Sequence, residues 1–180
     1  MGETIYGMKR THMCTELSAA DVGKKVTVMG WVQKRRNLGS LLFIDLRDRT
    51  GIVQLVFNDQ TEKELFEKAE TVRSEYVIAV SGEVARRAPE AINPSMKTGE
   101  IEILASELRI LSKAETPPFH IEENSDVNEA MRLKYRYLDL RRPDMQANLM
   151  LRHKVAKVAR DYFDQNGFLE IETPILIKST

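Results

Sequence analysis

The chain has 180 residues, which allows one well-packed core, or a small domain together with part of another. Its 27 basic and 27 acidic side chains cancel, which excludes a general electrostatic attraction to nucleic acid and leaves only a local basic surface. The single cysteine, Cys14, excludes an internal disulfide, and no apolar run suits a membrane span or a secretory signal, so we expect a cytoplasmic protein.

Alternation of apolar and polar residues predicts three strands at the start of the chain. The inward positions of the first two are Val26, Val28, Gly30 and Val32, then Leu42, Ile44 and Leu46. The third strand, GIVQLVFN, follows the segment DRTG, where Gly51 can take the left-handed backbone conformation of a hairpin turn. Tight reversals at NLGS and DRTG predict that the three strands form a meander.

The period then becomes helical in QTEKELFEKAETV, where Thr61 and Glu64 have the spacing of a capping box. Two further strands follow, EYVIAVSGEVAR and GEIEILASELRIL, joined by the polar loop RAPEAINPSMKT. Three strands, a helix and two strands are the layout of a five-stranded OB-fold barrel, so we predict a mainly β fold. A small barrel without a ligand is the alternative.

The proline-bearing segment KAETPPFHIEENSDVNE predicts a linker or hinge. We therefore predict an OB domain at 1–114 with a lead-in at 1–15, a linker at 115–134, and a truncated α+β segment at 135–180. In that segment a long helix is expected from Pro143, with Gly167 just past its end, followed by a strand in FLEIETPILIKST. About 45 residues are too few to close a core, so we expect a longer domain to begin here.

Phe43 is the residue that most favours RNA binding, because it lies on the face of the second strand opposite the core stripe. A base could stack on its ring, and Arg36 and Gln54 are expected on neighbouring strands. Gln54 offers a donor and an acceptor to a base edge. Alternatively, Phe43 is a core residue and KRR is a solvated strand end. The two arginines of LRDR stand beside aspartates, so a turn-stabilising role suits them equally.

Three segments, in this order, resemble bacterial-type aspartyl-tRNA synthetases of class II: GWVQKRRNLGSLLFIDLRDRTGIVQLV, LKYRYLDLRRPDMQ and GFLEIETPIL. The resemblance covers the chain from about Met8 onward, and asparaginyl and lysyl enzymes share the architecture. It implies an OB domain that binds the tRNA anticodon, followed by the start of the catalytic domain. The parent enzyme would use ATP and magnesium to activate aspartate and would transfer it to tRNA-Asp.

The resemblance implies anticodon contacts for seven residues, which are Arg36, Leu38, Phe43, Gln54, Arg87, Asn93 and Glu102. Phe43 would stack on the central anticodon base, a uridine that Gln54 also contacts. Arg87 and Asn93 would reach the third base or its neighbours. Glu102 would accept a hydrogen bond from the guanine at the first position, while the family residue at Arg36 contacts the anticodon loop.

The loop after the fourth strand departs from the family pattern. Ala91 stands where the family often has an asparagine, and Pro89 stands where many members have an acidic residue. Some bacterial members charge both tRNA-Asp and tRNA-Asn, whose anticodons differ at the third base. Relaxed tRNA specificity is therefore a hypothesis for this chain.

The segment GFLEIETPIL resembles motif 1, which in the family forms the homodimer interface, here with Phe168 and Pro174. The catalytic motifs 2 and 3 are expected beyond Thr180. We therefore assign no catalytic residue, metal ligand or cofactor to this chain and expect only background ATP–pyrophosphate exchange. The acids of RDYFDQ and the arginines of DLRR are expected on helix surfaces or in interdomain contacts.

Two alternatives from other functional classes stay open. A freestanding OB protein would bind arbitrary single strands in a salt-sensitive way, without discriminating between anticodons. A dimerisation module would associate through the motif 1 helix and would have no RNA affinity to lose when Phe43 is replaced.

Overall fold

A computed structural model describes residues 2–176 and 178 of the chain. The chain divides into two compact units, Met1–Pro117 and Pro118–Thr180. The strands of the first unit are β1 Lys25–Asn37, β2 Leu42–Arg47, β3 Ile52–Phe57, β4 Val77–Arg86 and β5 Ile101–Ser112. Helix α1, Lys63–Thr71, lies between β3 and β4, and short 3-10 helices cover Cys14–Glu16, Ala19–Asp21 and Pro89–Ala91.

The five strands close a barrel in the order β1-β2-β3-β5-β4. All pairings are antiparallel except β3 with β5, where Leu55 lies opposite Ile103. The inward positions predicted for β1 and β2 are buried, with the side chains of Leu42, Ile44 and Leu46 fully so. This closed five-stranded barrel with a helix between the third and fourth strands confirms the predicted OB fold.

A β-bulge in β1 decides which side chains face outward at the end of that strand. Val32 pairs with Leu46, and the next paired residue is Lys34, opposite Asp45, so Gln33 is the extra residue. Without the bulge, the alternation that buries Val32 would also turn Lys34 and Arg36 toward the core. The bulge instead places both cations on the outer face, beside the outward residues of β2.

The turn between β2 and β3 is held by Asp48, and Gly51 takes the expected positive φ, at 145°. One carboxylate oxygen of Asp48 accepts hydrogen bonds of 2.7 Å from the backbone and hydroxyl of Thr50, and the other accepts one of 2.7 Å from the Cys14 backbone. Burial raises the pKa of Asp48, but these hydrogen bonds outweigh it and lower the pKa overall. Arg47 does not stabilise the turn, since it donates instead to Glu75 at 2.9 Å.

The capping box predicted for α1 is not formed. The helix begins at Lys63 with Glu62 at the N-cap position, which makes no side-chain capping bond. The hydroxyl of Thr61 instead accepts a hydrogen bond of 2.9 Å from the Asn58 backbone and closes the preceding turn. Threonine hydroxyls satisfy turns and helix starts equally well, so spacing alone cannot separate the two roles.

The second unit consists of three helices, α2 Glu129–Lys134, α3 Arg136–Asp139 and α4 Pro143–Gln165. Pro143 occupies the first helical position of α4, and Gly167 follows the helix with φ of 80°, both as predicted. The predicted strand after α4 is not formed in the described residues 168–176 and 178. Its backbone groups would need a neighbouring strand as a partner, and the described part of this unit offers none.

The remaining residues of that predicted strand, Ile177, Ser179 and Thr180, lie outside the described residues.

The placement of the DLRR arginines on a helix surface is wrong for Arg142, whose side chain is buried and pairs with Asp139 and Asp144. Among the described residues, no helix is both long and apolar enough to cross a membrane.

Candidate nucleic-acid interface

A groove of about 600 Å³ lies on the outer face of the barrel. Its floor is formed by outward residues of β1, β2, β3 and β5, and the loop between β4 and β5 forms one wall. Six of the seven predicted anticodon residues line it, which are Arg36, Phe43, Gln54, Arg87, Asn93 and Glu102. The seventh, Leu38, is 70% exposed in the turn between β1 and β2 and does not line this groove.

Phe43 is a groove residue and not part of the core, so the alternative interpretation of this ring is wrong. It is partly exposed, between the buried Leu42 and Ile44 that point into the barrel. The guanidinium carbon of Arg36 lies 5.5 Å from the centre of the ring, within the range of a cation–π contact. A flat apolar surface with a cation beside it suits a nucleobase and its phosphate.

A chain of hydrogen bonds crosses the floor of the groove and links four side chains. Nη2 of Arg36 donates to Oδ1 of Asp45 at 3.1 Å and to Oε1 of Gln54 at 3.0 Å. Nε2 of Gln54 in turn donates to Oε2 of Glu102 at 2.9 Å. Gln54 is buried, so these bonds hold its amide in a single orientation before any ligand arrives.

Two charged groups at the Glu102 end of this hydrogen-bond network, Glu102 and Arg87, are partly desolvated. Burial raises the pKa of Glu102, although the hydrogen bond from Gln54 and the charge of Arg87 oppose the shift. Burial also lowers the pKa of Arg87, opposed by the carboxylates of Glu102 and Asp45. Nε of Arg87 donates to the Ile101 carbonyl at 2.9 Å, while its Nη2 has no hydrogen-bond partner in the described part of the chain. That nitrogen is itself buried, although other atoms of Arg87 line the groove.

Asn93 organises the wall of the groove. Its Oδ1 accepts hydrogen bonds from the backbone and hydroxyl of Ser95, at 3.1 and 2.6 Å. Its backbone donates to Gly99 at 3.1 Å, and a Cβ at position 99 would lie only 1.8 Å from the Asn93 carbonyl oxygen. The side-chain amide nitrogen of Asn93 is therefore the group left to face a ligand, while Ala91 offers no polar side chain beside it.

Lys34, Asp45 and Met96 are among the groove residues that the sequence did not predict. A signal for Asp45 was present, because it shares the outward face of β2 with Phe43. The position of Lys34 depends on the bulge at Gln33, which the alternation pattern did not reveal.

Replacing Glu102 by glutamine is expected to stabilise the protein. Because burial raises the pKa of Glu102, its charged form costs stability at neutral pH, and protonation removes that cost. The free energy of unfolding of the Glu102→Gln variant should therefore exceed that of the wild type at pH 7, by about 1 kcal/mol. This gain in stability should disappear as the pH falls below 4.5, the ordinary pKa of a glutamate side chain.

Urea denaturation at several pH values would measure this effect, with Glu100→Gln as the matched control, since Glu100 is exposed just before β5. A Glu102→Gln variant that is less stable than the wild type at pH 7 would contradict the expectation.

The two predicted motif 1 residues lie beyond α4 in the second unit. Phe168 is 62% exposed, and its ring contacts that of Phe163 edge-on, with centroids 5.6 Å apart. Pro174 is exposed and belongs to no helix or strand. Their role in an interface stays a prediction. Within residues 2–176 and 178, no group of three or more histidine, cysteine or acidic side chains is arranged to hold a metal ion.

Comparison with known proteins gives two family matches. Residues 26–111 match the OB-fold nucleic acid binding domain of the tRNA anticodon family. Residues 128–180 match the class II tRNA synthetases for D, K and N.

Individual relatives agree with these matches. The whole chain is 76% identical to an aspartate–tRNA ligase of Ruminiclostridium cellulolyticum and 66% identical to an aspartate–tRNA(Asp/Asn) ligase of Thermoanaerobacter pseudethanolicus. The chain spans about 30% of the length of these curated relatives. Among solved structures, an asparaginyl-tRNA synthetase from Pyrococcus horikoshii is similar with a TM-score of 0.79 and 28% identity, over 94% of this chain and 37% of that one.

Proposed function

The chain belongs to the class II aspartyl-tRNA synthetases, and on this premise we propose that its barrel binds the anticodon loop of tRNA as part of an aspartate–tRNA ligase. The observation that carries the proposal is the groove itself. It brings together a partly exposed aromatic ring, cations and hydrogen-bonding side chains from four strands and a loop. These are the groups that single-stranded RNA requires, namely stacking surfaces, phosphate partners and hydrogen-bonding edges.

Each groove residue has a role that its contacts support. Phe43 provides the stacking surface for the central base, and Gln54 reads the edge of that base. Glu102 accepts from a guanine, whose N1–H and amino group are donors. Arg87 lines the groove close to Asn93, and its positive charge attracts a base edge or a phosphate there.

The reaction of the longer protein is part of the same proposal. By its family, that protein would activate aspartate with ATP and magnesium and would transfer it to tRNA. No residue of this chain is assigned to those steps. Homodimer formation through the segment with Phe168 and Pro174 belongs to the proposal as well. So does a cytoplasmic location, because a protein that binds tRNA works where translation takes place.

We further propose that the groove accepts both tRNA-Asp and tRNA-Asn. The loop beside Asn93 presents Ala91 and Pro89, neither of which has a polar side chain to select the third base. Relatives with 66% and 65% identity have names that include both tRNAs, whereas the relative with 76% identity is named for aspartate alone.

Titration with the anticodon stem-loops of tRNA-Asp and tRNA-Asn at one fixed salt concentration tests the proposal. We expect both to bind with dissociation constants within about a hundredfold of each other, a range that corresponds to less than about 3 kcal/mol. A larger preference for tRNA-Asp would contradict relaxed specificity but not anticodon binding. Equal affinity for an unrelated single strand of the same length would contradict anticodon binding itself.

A further inference from the structure

Asp45 is an acidic residue in the middle of a groove proposed to hold RNA. Its side chain is 17% exposed, and it lies opposite Lys34 on one neighbouring strand and Gln54 on the other. A carboxylate there repels phosphate groups and offsets part of the attraction provided by the cations. Its presence therefore needs a reason other than RNA affinity.

The contacts of Asp45 supply that reason. Its Oδ1 accepts a hydrogen bond of 3.1 Å from Nη2 of Arg36, and the same nitrogen donates to Oε1 of Gln54 at 3.0 Å. The side chain of Arg36 is 44% exposed and has several rotatable bonds, so without an anchor it would turn toward water or toward phosphate. Asp45 holds the guanidinium against Gln54 and beside the ring of Phe43.

The position of Arg36 affects what Gln54 can recognise. The oxygen of the Gln54 amide faces the guanidinium of Arg36. The nitrogen of the same amide donates to the carboxylate of Glu102 at 2.9 Å. A rotated amide would bring two donors together at Arg36 and two acceptors together at Glu102. The amide therefore offers one acceptor and one donor in a fixed order to a base.

Uracil and cytosine differ in this order. Uracil presents the N3–H donor beside carbonyl acceptors, whereas cytosine presents the N3 acceptor beside an amino donor. A freely rotating glutamine could bind either edge, but an amide held in one orientation favours one of them.

We propose that Asp45 is a positioning residue that, through Arg36, fixes the Gln54 amide for uridine and against cytidine at the central anticodon position. It lowers the general affinity of the groove for RNA and raises its selectivity. This inference rests on the proposed anticodon function.

The test compares two labelled RNA stem-loops that differ only in uridine or cytidine at the central loop position, titrated by fluorescence anisotropy into the full chain. The Asp45→Asn variant should lose about tenfold of the preference for uridine, which one bidentate base contact supplies. Its affinity for the cytidine stem-loop should stay equal or rise. Glu83→Gln, an equal charge change on an exposed part of β4 outside the groove, should keep the wild-type preference.

A second arm separates positioning from a general effect of charge or folding. In an Arg36→Ala background, Asp45→Asn should no longer change the preference, because its effect passes through Arg36. An unchanged preference in the single variant, an equal loss of affinity for both RNAs, or a further loss of preference when Asp45→Asn is added to Arg36→Ala would each overturn the inference. A wild-type chain that binds neither stem-loop overturns the proposed function as well, whereas a selective wild type beside a selective Asp45→Asn variant overturns this inference alone.

Discussion

Replacing Phe43 by alanine is expected to weaken binding of the tRNA-Asp anticodon stem-loop by about 1–3 kcal/mol, or about 5- to 150-fold. The ring is the only aromatic side chain that lines the described groove, so the variant has no second stacking surface there. It also loses the contact that places Arg36 at 5.5 Å from the ring centre. The barrel core should be unaffected, because Phe43 points away from the buried Leu42 and Ile44.

Fluorescence anisotropy with a labelled stem-loop would measure this loss. Phe43→Leu keeps apolar bulk without the ring and should bind nearly as weakly as Phe43→Ala, while Phe43→Tyr should bind almost as well as the wild type. Tyr6→Ala, an aromatic deletion at a position that is 86% exposed and outside the groove, is the matched control. The single tryptophan, Trp31 in β1, reports whether the barrel is still folded. Unchanged binding by Phe43→Ala would contradict stacking on this ring.

Most of the barrel could be predicted from the sequence because its strands are buried on one face and exposed on the other. That alternation predicts the individual strands and places Phe43 on the face opposite the core stripe, although it leaves a core position for the ring open. The bulge at Gln33 could not be predicted, since a single inserted residue leaves no mark in a pattern of KRR cations. The sequence therefore predicts Arg36 beside Phe43 on a neighbouring strand but does not predict Lys34 there, although the bulge turns both side chains outward.

The polar network in the groove depends on contacts that are distant in the sequence. Gln54 and Glu102 meet because β3 and β5 are parallel neighbours in the barrel. No turn joins these two strands directly, so their pairing leaves no local signal in the sequence. Leu38 shows the opposite limit. The family resemblance implies an anticodon contact for Leu38, but the hairpin turn leaves its side chain exposed and outside the groove.

The packing of the second unit is the hardest to predict, because it combines a small apolar cluster with one buried charge and follows no repeating pattern. Its apolar cluster has three buried members, Phe119, Ile121 and Leu138. Asp139 is fully buried beside them and accepts hydrogen bonds from Arg132, Arg136 and Arg142. In a sequence, an aspartate followed by a leucine and two arginines looks like an exposed helix end.

Replacing Asp139 by asparagine is expected to destabilise the second unit by about 2–3 kcal/mol. Its carboxylate connects α2 through Arg132 at 2.9 Å to the start of α4 through Arg142 at 3.2 Å. Removing one partner of a buried ion pair leaves the other charge uncompensated, at a typical cost of about 3–5 kcal/mol. The cost expected for Asp139→Asn lies at or below the lower end of that typical range because Arg132 and Arg136 are 31% and 45% exposed and can turn to water. Arg142 is buried and cannot.

The pH dependence of this effect has a defined sign. Hydrogen bonding from Arg132, opposed by burial and aided by the charges of the three arginines, lowers the pKa of Asp139 below its ordinary value of 3.8. The carboxylate therefore stabilises the folded state above pH 3.8, and this contribution is lost as the pH falls through the lowered pKa. The wild type and Asp139→Asn should differ at pH 7 and should converge in acid.

Hydrogen exchange of the amides in α2, α3 and α4 would measure the loss of stability, while the fluorescence of Trp31 follows the barrel separately. Asp161→Asn is the matched control, because Asp161 forms an exposed pair with Lys157 on α4 and should cost less than about 0.5 kcal/mol. If the helix amides of Asp139→Asn and Asp161→Asn exchange at the same rate at pH 7, the buried carboxylate does not stabilise the second unit. If Asp139→Asn opens the helices faster than Asp161→Asn at pH 7 but not in acid, the ionised carboxylate holds the three helices together.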